Sequence, residues 1–159
     1  MNIEIRRAKP SDIEEMSVVV DSAWRENYRD IFTAEVIDRF TGEHRRESFK
    51  GLLERGVDIF VLTADGRVSA LCAYQTTVAL PDCAEIMLLY VHPDHQRRGL
   101  GGRLFGYVLN ELRRGGFVRV LLDTAEKNEG ARLFYEKHGF AVNKQFENGI
   151  NYVTYLRNL

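Results

Sequence analysis

Apolar residues recur along this chain with two different periods, and the changes of period mark its elements. Ile3-Glu4-Ile5-Arg6 alternates apolar and polar positions, which predicts a strand. Lys9-Pro10 breaks it ahead of Ser11-Asp12-Ile13-Glu14, a capping-box signature for a helix start. Ile13, Met16, Val20, Ala23 and Trp24 then share one helical face, which should pack on a sheet. A second helical region runs from Thr33 through Phe49, Leu52 and Leu53, interrupted near Gly42 and closed by Gly56 as a C-cap. Apolar runs at 59–62 and 69–74 flank Ala64-Asp65-Gly66-Arg67, where Asp-Gly predicts a hairpin of two antiparallel strands.

The Pro81-Asp82 turn leads into an apolar run at 84–91, read as a buried strand. Leu100, Leu104, Val108 and Leu112 recur every four residues and predict a helix that stops at Gly115-Gly116. A strand at 118–122 and a short helix at 129–138 follow, with Gly139 as C-cap. Segments 140–142 and 152–156 would pair as a hairpin across Glu147-Asn148-Gly149. The predicted order is βααβββαβαββ. It implies an α/β fold with a single mixed, mostly antiparallel sheet of about seven strands and about four helices on both faces. A chain of 159 residues is expected to form one domain over 1–159, burying roughly 70% of its unfolded surface.

Charge narrows the function classes. The formal net charge is −1 with both signs interspersed, so there is no broad electrostatic footprint for nucleic acid and any anion binding must be local. The N-terminus lacks a signal-peptide pattern, and no apolar run approaches the ~20 residues of a membrane span, which points to a cytoplasmic protein without a membrane partner. Cys72 and Cys83 lie outside any C-x-x-C spacing and read as reduced thiols. His92-Pro93-Asp94-His95 has no further His or Cys nearby to complete a ligand set, so no metal is expected.

The most informative stretch is 91–102, where the apolar run stops at a Pro-containing turn and glycines open a helix. Glycines in a first helical turn leave backbone N–H groups that no side chain shields. Those donors, the helix dipole and the adjacent Arg97 and Arg98 favour a phosphate or pyrophosphate. No part of the chain supplies G-x-x-x-x-G-K-[ST], and a dinucleotide G-x-G-x-x-G has Leu104 in place of its third glycine. A reductase reading, with Asp123 on a ribose, also lacks enough chain after the loop for its remaining strand-helix units. Gln96-Arg97-Arg98-Gly99-Leu100-Gly101 instead fits Q/R-x-x-G-x-G/A and resembles the pyrophosphate motif of the GNAT superfamily of acetyl-coenzyme A-dependent N-acetyltransferases.

A second segment supports the resemblance. Asn128-Glu129-Gly130-Ala131-Arg132-Leu133-Phe134-Tyr135-Glu136-Lys137-His138-Gly139-Phe140 is similar to the family's later motif, an Asn that begins a short helix ending in Tyr-Glu-x-x-Gly-Phe. The likeness is close over 85–159 and rests on element order over 1–84. It implies the GNAT fold, with a V-shaped cleft between the fourth and fifth strands, and acetyl-coenzyme A as acyl donor. It further implies that the N–H groups of Arg98, Gly99, Leu100, Gly101 and Gly102 hold the pyrophosphate, flanked by Gln96 and Arg97. Leu89, Tyr90 and Val91 would pair with the pantetheine as an added strand would, and an N–H near Leu88 or Leu89 would serve the oxyanion.

Acetyl transfer from a thioester to an amine also needs an uncharged amine and an acid for the departing thiolate. Glu85 lies eleven positions before Gln96, where several members of the family carry the general base. A carboxylate and an alkylamine are mismatched by about 6 pKa units, about 8 kcal/mol, so burial, a relaying water or a desolvated amine must close the gap. The alternative is a strand-end carboxylate facing solvent or an arginine. Tyr135 falls at the family's general acid, and a phenol delivers a proton to a thiolate at a cost of only about 2 kcal/mol. The alternative is an aromatic that packs beside Phe134. Asn128 is a helix N-cap, a cofactor ligand, or both.

The resemblance assigns the acceptor, a small-molecule or peptide amine, to the first helices and the last hairpin. Trp24, Tyr28, Tyr74 and Gln75 would then form part of an acceptor wall, although helical spacing equally suits Trp24 to the core. Direct attack in a ternary complex is expected because neither motif contains a cysteine. A homodimer is common among similar proteins. A catalytically silent acyl-coenzyme A-binding sensor is the alternative function, and intact Glu85, Asn128 and Tyr135 argue against it.

Overall fold

The computed structural model describes residues 1–78 and 80–159. Its strands are β1 (Ile3–Arg7), β2 (Asp58–Ala64), β3 (Arg67–Thr76), β4 (Cys83–Val91), β5 (Arg119–Ala125), β6 (Ala141–Asn148) and β7 (Ile150–Asn158). Its helices are α1 (Ile13–Asn27), α2 (Ala34–Phe40), α3 (Glu43–Glu54), α4 (Leu100–Arg114) and α5 (Glu129–Lys137). The strands form one open seven-stranded sheet in the order β1-β2-β3-β4-β5-β7-β6. The fold class is the expected mixed α/β. Among the described residues there are five helices where about four were expected, because the region after Thr33 divides into α2 and α3 where Gly42 adopts φ 66. Among the described residues no helix is long and apolar enough to cross a membrane.

Contacts group the chain into two compact units, Met1–Tyr74 with Met87–Asn110, and Gln75–Ile86 with Glu111–Leu159. In the first, β2 pairs antiparallel with both β1 and β3. The β2–β3 connection is the two residues Asp65 and Gly66, at φ 50 and 82, as a tight Asp-Gly hairpin requires. Ile59 and Val61 join Met16, Val19 and Val20 of α1 and Phe49 and Leu52 of α3 in one buried cluster. The alternate residue Phe60 meets Tyr107 of α4 edge-on at 5.6 Å. Helices therefore cover both faces of this part of the sheet, as β2 demands by burying successive residues, whose side chains alternate between the two faces.

The predicted Ser11–Glu14 capping box is not what starts α1. A 3-10 turn at Pro10–Asp12 precedes the helix, and the Asp12 carboxylate takes the turn's N–H, accepting from Lys9 N at 2.7 Å. Asp12 also accepts from Arg6 Nη1 at 2.8 Å and Nη2 at 2.9 Å, a two-pronged pair that no local motif encodes. The Arg6 hydrogen bond holds the Asp12 carboxyl below the usual carboxylate range, against the opposing pull of burial. A depressed folded-state pKa contributes stability above the unfolded value of ~3.9, lost as pH falls through the folded value. Asp12→Asn is expected to cost about 2 kcal/mol at neutral pH. Urea unfolding should show that deficit shrink below pH ~4, and a deficit independent of pH would assign it to packing.

In the second unit, β7 lies between β5 and β6 and pairs antiparallel with both. β4 runs parallel to β5 with Cys83 opposite Arg119, Ala84 opposite Val120 and Glu85 opposite Leu121. β6 is an edge strand, longer than predicted and exposed at nearly every residue. Val120, Leu122, Val153 and Tyr155 form the buried side of this part of the sheet, with Tyr135 and Phe140 also buried. Cys72 of the first unit and Cys83 of the second are both free and fully buried, and burial pushes both thiols up.

Candidate functional site

The glycine loop takes its shape from two left-handed positions, Arg97 at φ 62 and Gly99 at φ 75. Glycine tolerates this conformation without penalty, whereas an arginine there stores about 1 kcal/mol of backbone strain. The loop is tied at its start. Gln96 Nε2 donates to Val91 O at 3.2 Å, and the 3-10 turn Pro93–His95 is closed by Gln96 N donating to Pro93 O at 3.3 Å. His92 Nδ1 accepts from Asp94 N at 3.2 Å, which commits that nitrogen to the turn. A bulge in the β2–β3 register skips Ser69, whose carbonyl accepts from His92 N at 2.9 Å. Neither the bulge nor this anchor has a signal in the local sequence.

The first main-chain bond of α4 runs from Arg103 N to Gly99 O at 3.0 Å. The N–H groups of Leu100, Gly101 and Gly102 therefore lie ahead of the helix's own ladder, pointing out of its positive end. The Leu100 side chain is buried, so this residue has only its backbone to offer a ligand, while Arg97 and Arg98 are exposed. The donor set fits the pyrophosphate of a coenzyme A molecule.

Leu89, Tyr90 and Val91 occupy the end of β4 and are half-buried. The Tyr90 hydroxyl accepts from Trp24 Nε1 at 3.0 Å. Trp24 also meets Tyr28 edge-on at 5.0 Å, stacks on Phe32 at 5.8 Å, and carries the Arg45 guanidinium over its ring at 5.0 Å. Trp24 and Tyr28, expected in an acceptor wall, thus lie in an aromatic cluster with Phe32. Tyr74 is buried and stacks on Phe60 at 6.4 Å, the geometry of a core residue.

In the second unit, Glu85 and Gln75 line one pocket of about 410 Å³ together with Thr76, Thr77, Val78, Leu80 and Leu121. The Thr77 hydroxyl accepts from Leu80 N at 3.2 Å and donates to Leu80 O at 2.8 Å, so it holds the pocket wall rather than facing a ligand. Among the described residues Glu85 is its one charged lining residue. Sequence reasoning found Glu85 and Gln75 but not Thr76, Thr77, Val78, Leu80 or Leu121; Leu121 reaches the pocket through its register opposite Glu85, and Leu80 lies outside the strands, so no motif marks either.

Asn128 is the N-cap of α5, its side chain accepting from Ala131 N at 3.3 Å. That bond uses the side-chain oxygen and leaves the amide NH₂ available to a ligand. Tyr135 is buried, with ring centroids 6.0 Å from Tyr155 and 6.1 Å from Phe140. The packing role weighed for Tyr135 is present in the structure.

An acetyltransferase (GNAT) family model matches residues 19–140. A probable N-acetyltransferase of Mycobacterium tuberculosis is 31% identical over 144 residues, 89% of this chain and 81% of that protein. Spermidine N(1)-acetyltransferase of Thermoplasma acidophilum is 26% identical over 146 residues, 89% of this chain and 90% of that protein. The crystal structure of PaiA N-acetyltransferase from Thermoplasma acidophilum, in complex with coenzyme A, has a TM-score of 0.89 and 21% identity, covering 100% of both chains. Motif order, sheet order and these likenesses agree: the chain belongs to the GNAT family of acetyltransferases.

Proposed function

We propose that this protein moves an acetyl group from acetyl-coenzyme A to a primary amine by direct attack in a ternary complex. The observation that carries the reading is the Glu85 pocket, where a single carboxylate lies among a Gln, two Thr and apolar side chains. One negative group in such surroundings favours a cationic amine and is a candidate to take its proton. A volume of about 410 Å³ suits a small amine or the end of a peptide. The relative named for spermidine makes amines the natural acceptors to test first.

In this reading the Leu100, Gly101 and Gly102 N–H groups bind the donor's pyrophosphate, with Arg97, Arg98 and Gln96 beside it. Leu89, Tyr90 and Val91 align its pantetheine, and the Asn128 amide adds a further contact. Glu85 removes a proton from the acceptor ammonium. Tyr135 gives its phenolic proton to the sulfur that leaves, while a β4 backbone N–H stabilises the oxyanion. Cys72 and Cys83 are both buried, which fits a route without an acyl-enzyme. The deciding experiment is a panel of primary amines with detection of released thiol. Release of free coenzyme A with at least one acceptor is expected; coenzyme A binding with no release across polyamines, amino acids and peptides would favour a silent sensor instead.

A further inference from the structure

Helix α5 is only nine residues long, and a helix of that length does not hold itself in place by its own ladder. Its setting on the sheet is fixed by what it touches. One polar tie is Tyr155 of β7, whose side chain is fully buried. Its hydroxyl accepts from Arg132 Nε at 3.0 Å and donates to Glu136 Oε1 at 3.2 Å, so one buried oxygen joins positions i and i+4 of α5. Arg132 Nη1 also donates to Glu126 O at 3.3 Å, in the connection just ahead of the Asn128 cap. Tyr135 adjoins Glu136 in the chain, and its ring lies 6.0 Å from that of Tyr155.

We propose that Tyr155 is a positioning residue for acetyl transfer. By bridging Arg132 and Glu136, its hydroxyl sets the rotation of α5 about its axis and thereby directs the Tyr135 hydroxyl. This inference rests on the reading of Tyr135 as the general acid. The hydroxyl matters here separately from the ring. A phenylalanine would fill the same space, but Arg132 and Glu136 would then be left to pair with each other directly, drawing one face of the helix together. Small changes of angle at a reacting group carry large rate penalties, because the proton must travel along a short and well-aligned hydrogen bond.

The test compares Tyr155→Phe, Tyr135→Phe and the double variant in the full chain, with thermal unfolding alongside kcat and KM. Tyr155→Phe is expected to lower kcat by about tenfold, with both KM values within about threefold of the original. The double variant should be no slower than Tyr135→Phe alone, since nothing remains for Tyr155 to direct. Glu136→Gln keeps an oxygen that accepts from Tyr155 and should retain most of kcat, whereas Glu136→Ala should follow Tyr155→Phe. Unchanged kcat in folded Tyr155→Phe, or losses that multiply in the double variant, overturns the inference and leaves Tyr135 as the acid. An unaffected Tyr135→Phe overturns both.

Discussion

Tyr135→Phe is expected to lower kcat by about 10²-fold or more while leaving the affinity for acetyl-coenzyme A nearly unchanged. The substitution isolates one oxygen atom. The Tyr135 ring packs against Phe134, Phe140 and Tyr155, and phenylalanine preserves all three contacts. A residue that served only to pack would therefore tolerate the change with an unaltered rate. A residue that protonates the leaving thiolate cannot, because the thiolate would have to depart unprotonated or wait for a proton from water. Steady-state kinetics beside an equilibrium binding measurement separate the two: a fall in kcat without weaker donor binding marks an interaction made in the transition state. Wild-type turnover in a folded Tyr135→Phe protein would remove the acid assignment.

Glu85→Gln is expected to reduce kcat/KM near neutral pH by about 10²-fold and to move the pH dependence of turnover to higher pH. The sign follows from the acceptor. Most of a primary amine is protonated at pH 7 and has no lone pair to attack with, since its pKa is near ~10.4. A general base removes that proton within the complex. Without it, only the fraction of amine already neutral in solution reacts, and this fraction grows about tenfold per pH unit until the amine's own pKa is reached. The deficit should accordingly shrink as pH rises. A Glu85→Gln profile parallel to the original at every pH would assign proton removal to another group or to solvent. Glutamine keeps the size of the side chain but removes the charge that favours a cationic amine, so kcat is compared with the acceptor KM to separate proton removal from binding.

Those two residues were legible because each sits at a fixed offset from a loud local signal. Glu85 is read by counting back from Gln96, and Tyr135 by counting forward from Asn128. The α4 start and the Asp65-Gly66 hairpin were legible for the same reason, since glycine at positive φ and a four-residue apolar repeat act over a few positions. Effects carried by strand pairing were not. The box read at Ser11 yielded to Asp12 because Arg6 arrives from β1 with two hydrogen bonds. β6 was read as 140–142 because its outer residues are polar and exposed, and its pairing with β7 has no hydrophobic alternation to announce it. The stacking of Tyr74 on Phe60 likewise comes from the Asp58–Tyr74 end of the β2–β3 register and has no local signal. Tyr155 carries no local signal, because its hydroxyl finds both its partners on α5, far away in the chain.

The burial of both cysteines has a practical side. Cys72 and Cys83 are fully enclosed, and the removal of each thiol from water disfavours the thiolate that reacts with sulfhydryl reagents. The native protein should therefore contribute almost no colour of its own when an aromatic disulfide is used to follow the reaction. Signal that scales with acceptor concentration can then be attributed to liberated coenzyme A. Signal that grows with temperature or denaturant in the absence of acceptor reports two thiols emerging from an opening core, so one reagent records turnover in the folded enzyme and the loss of the fold itself.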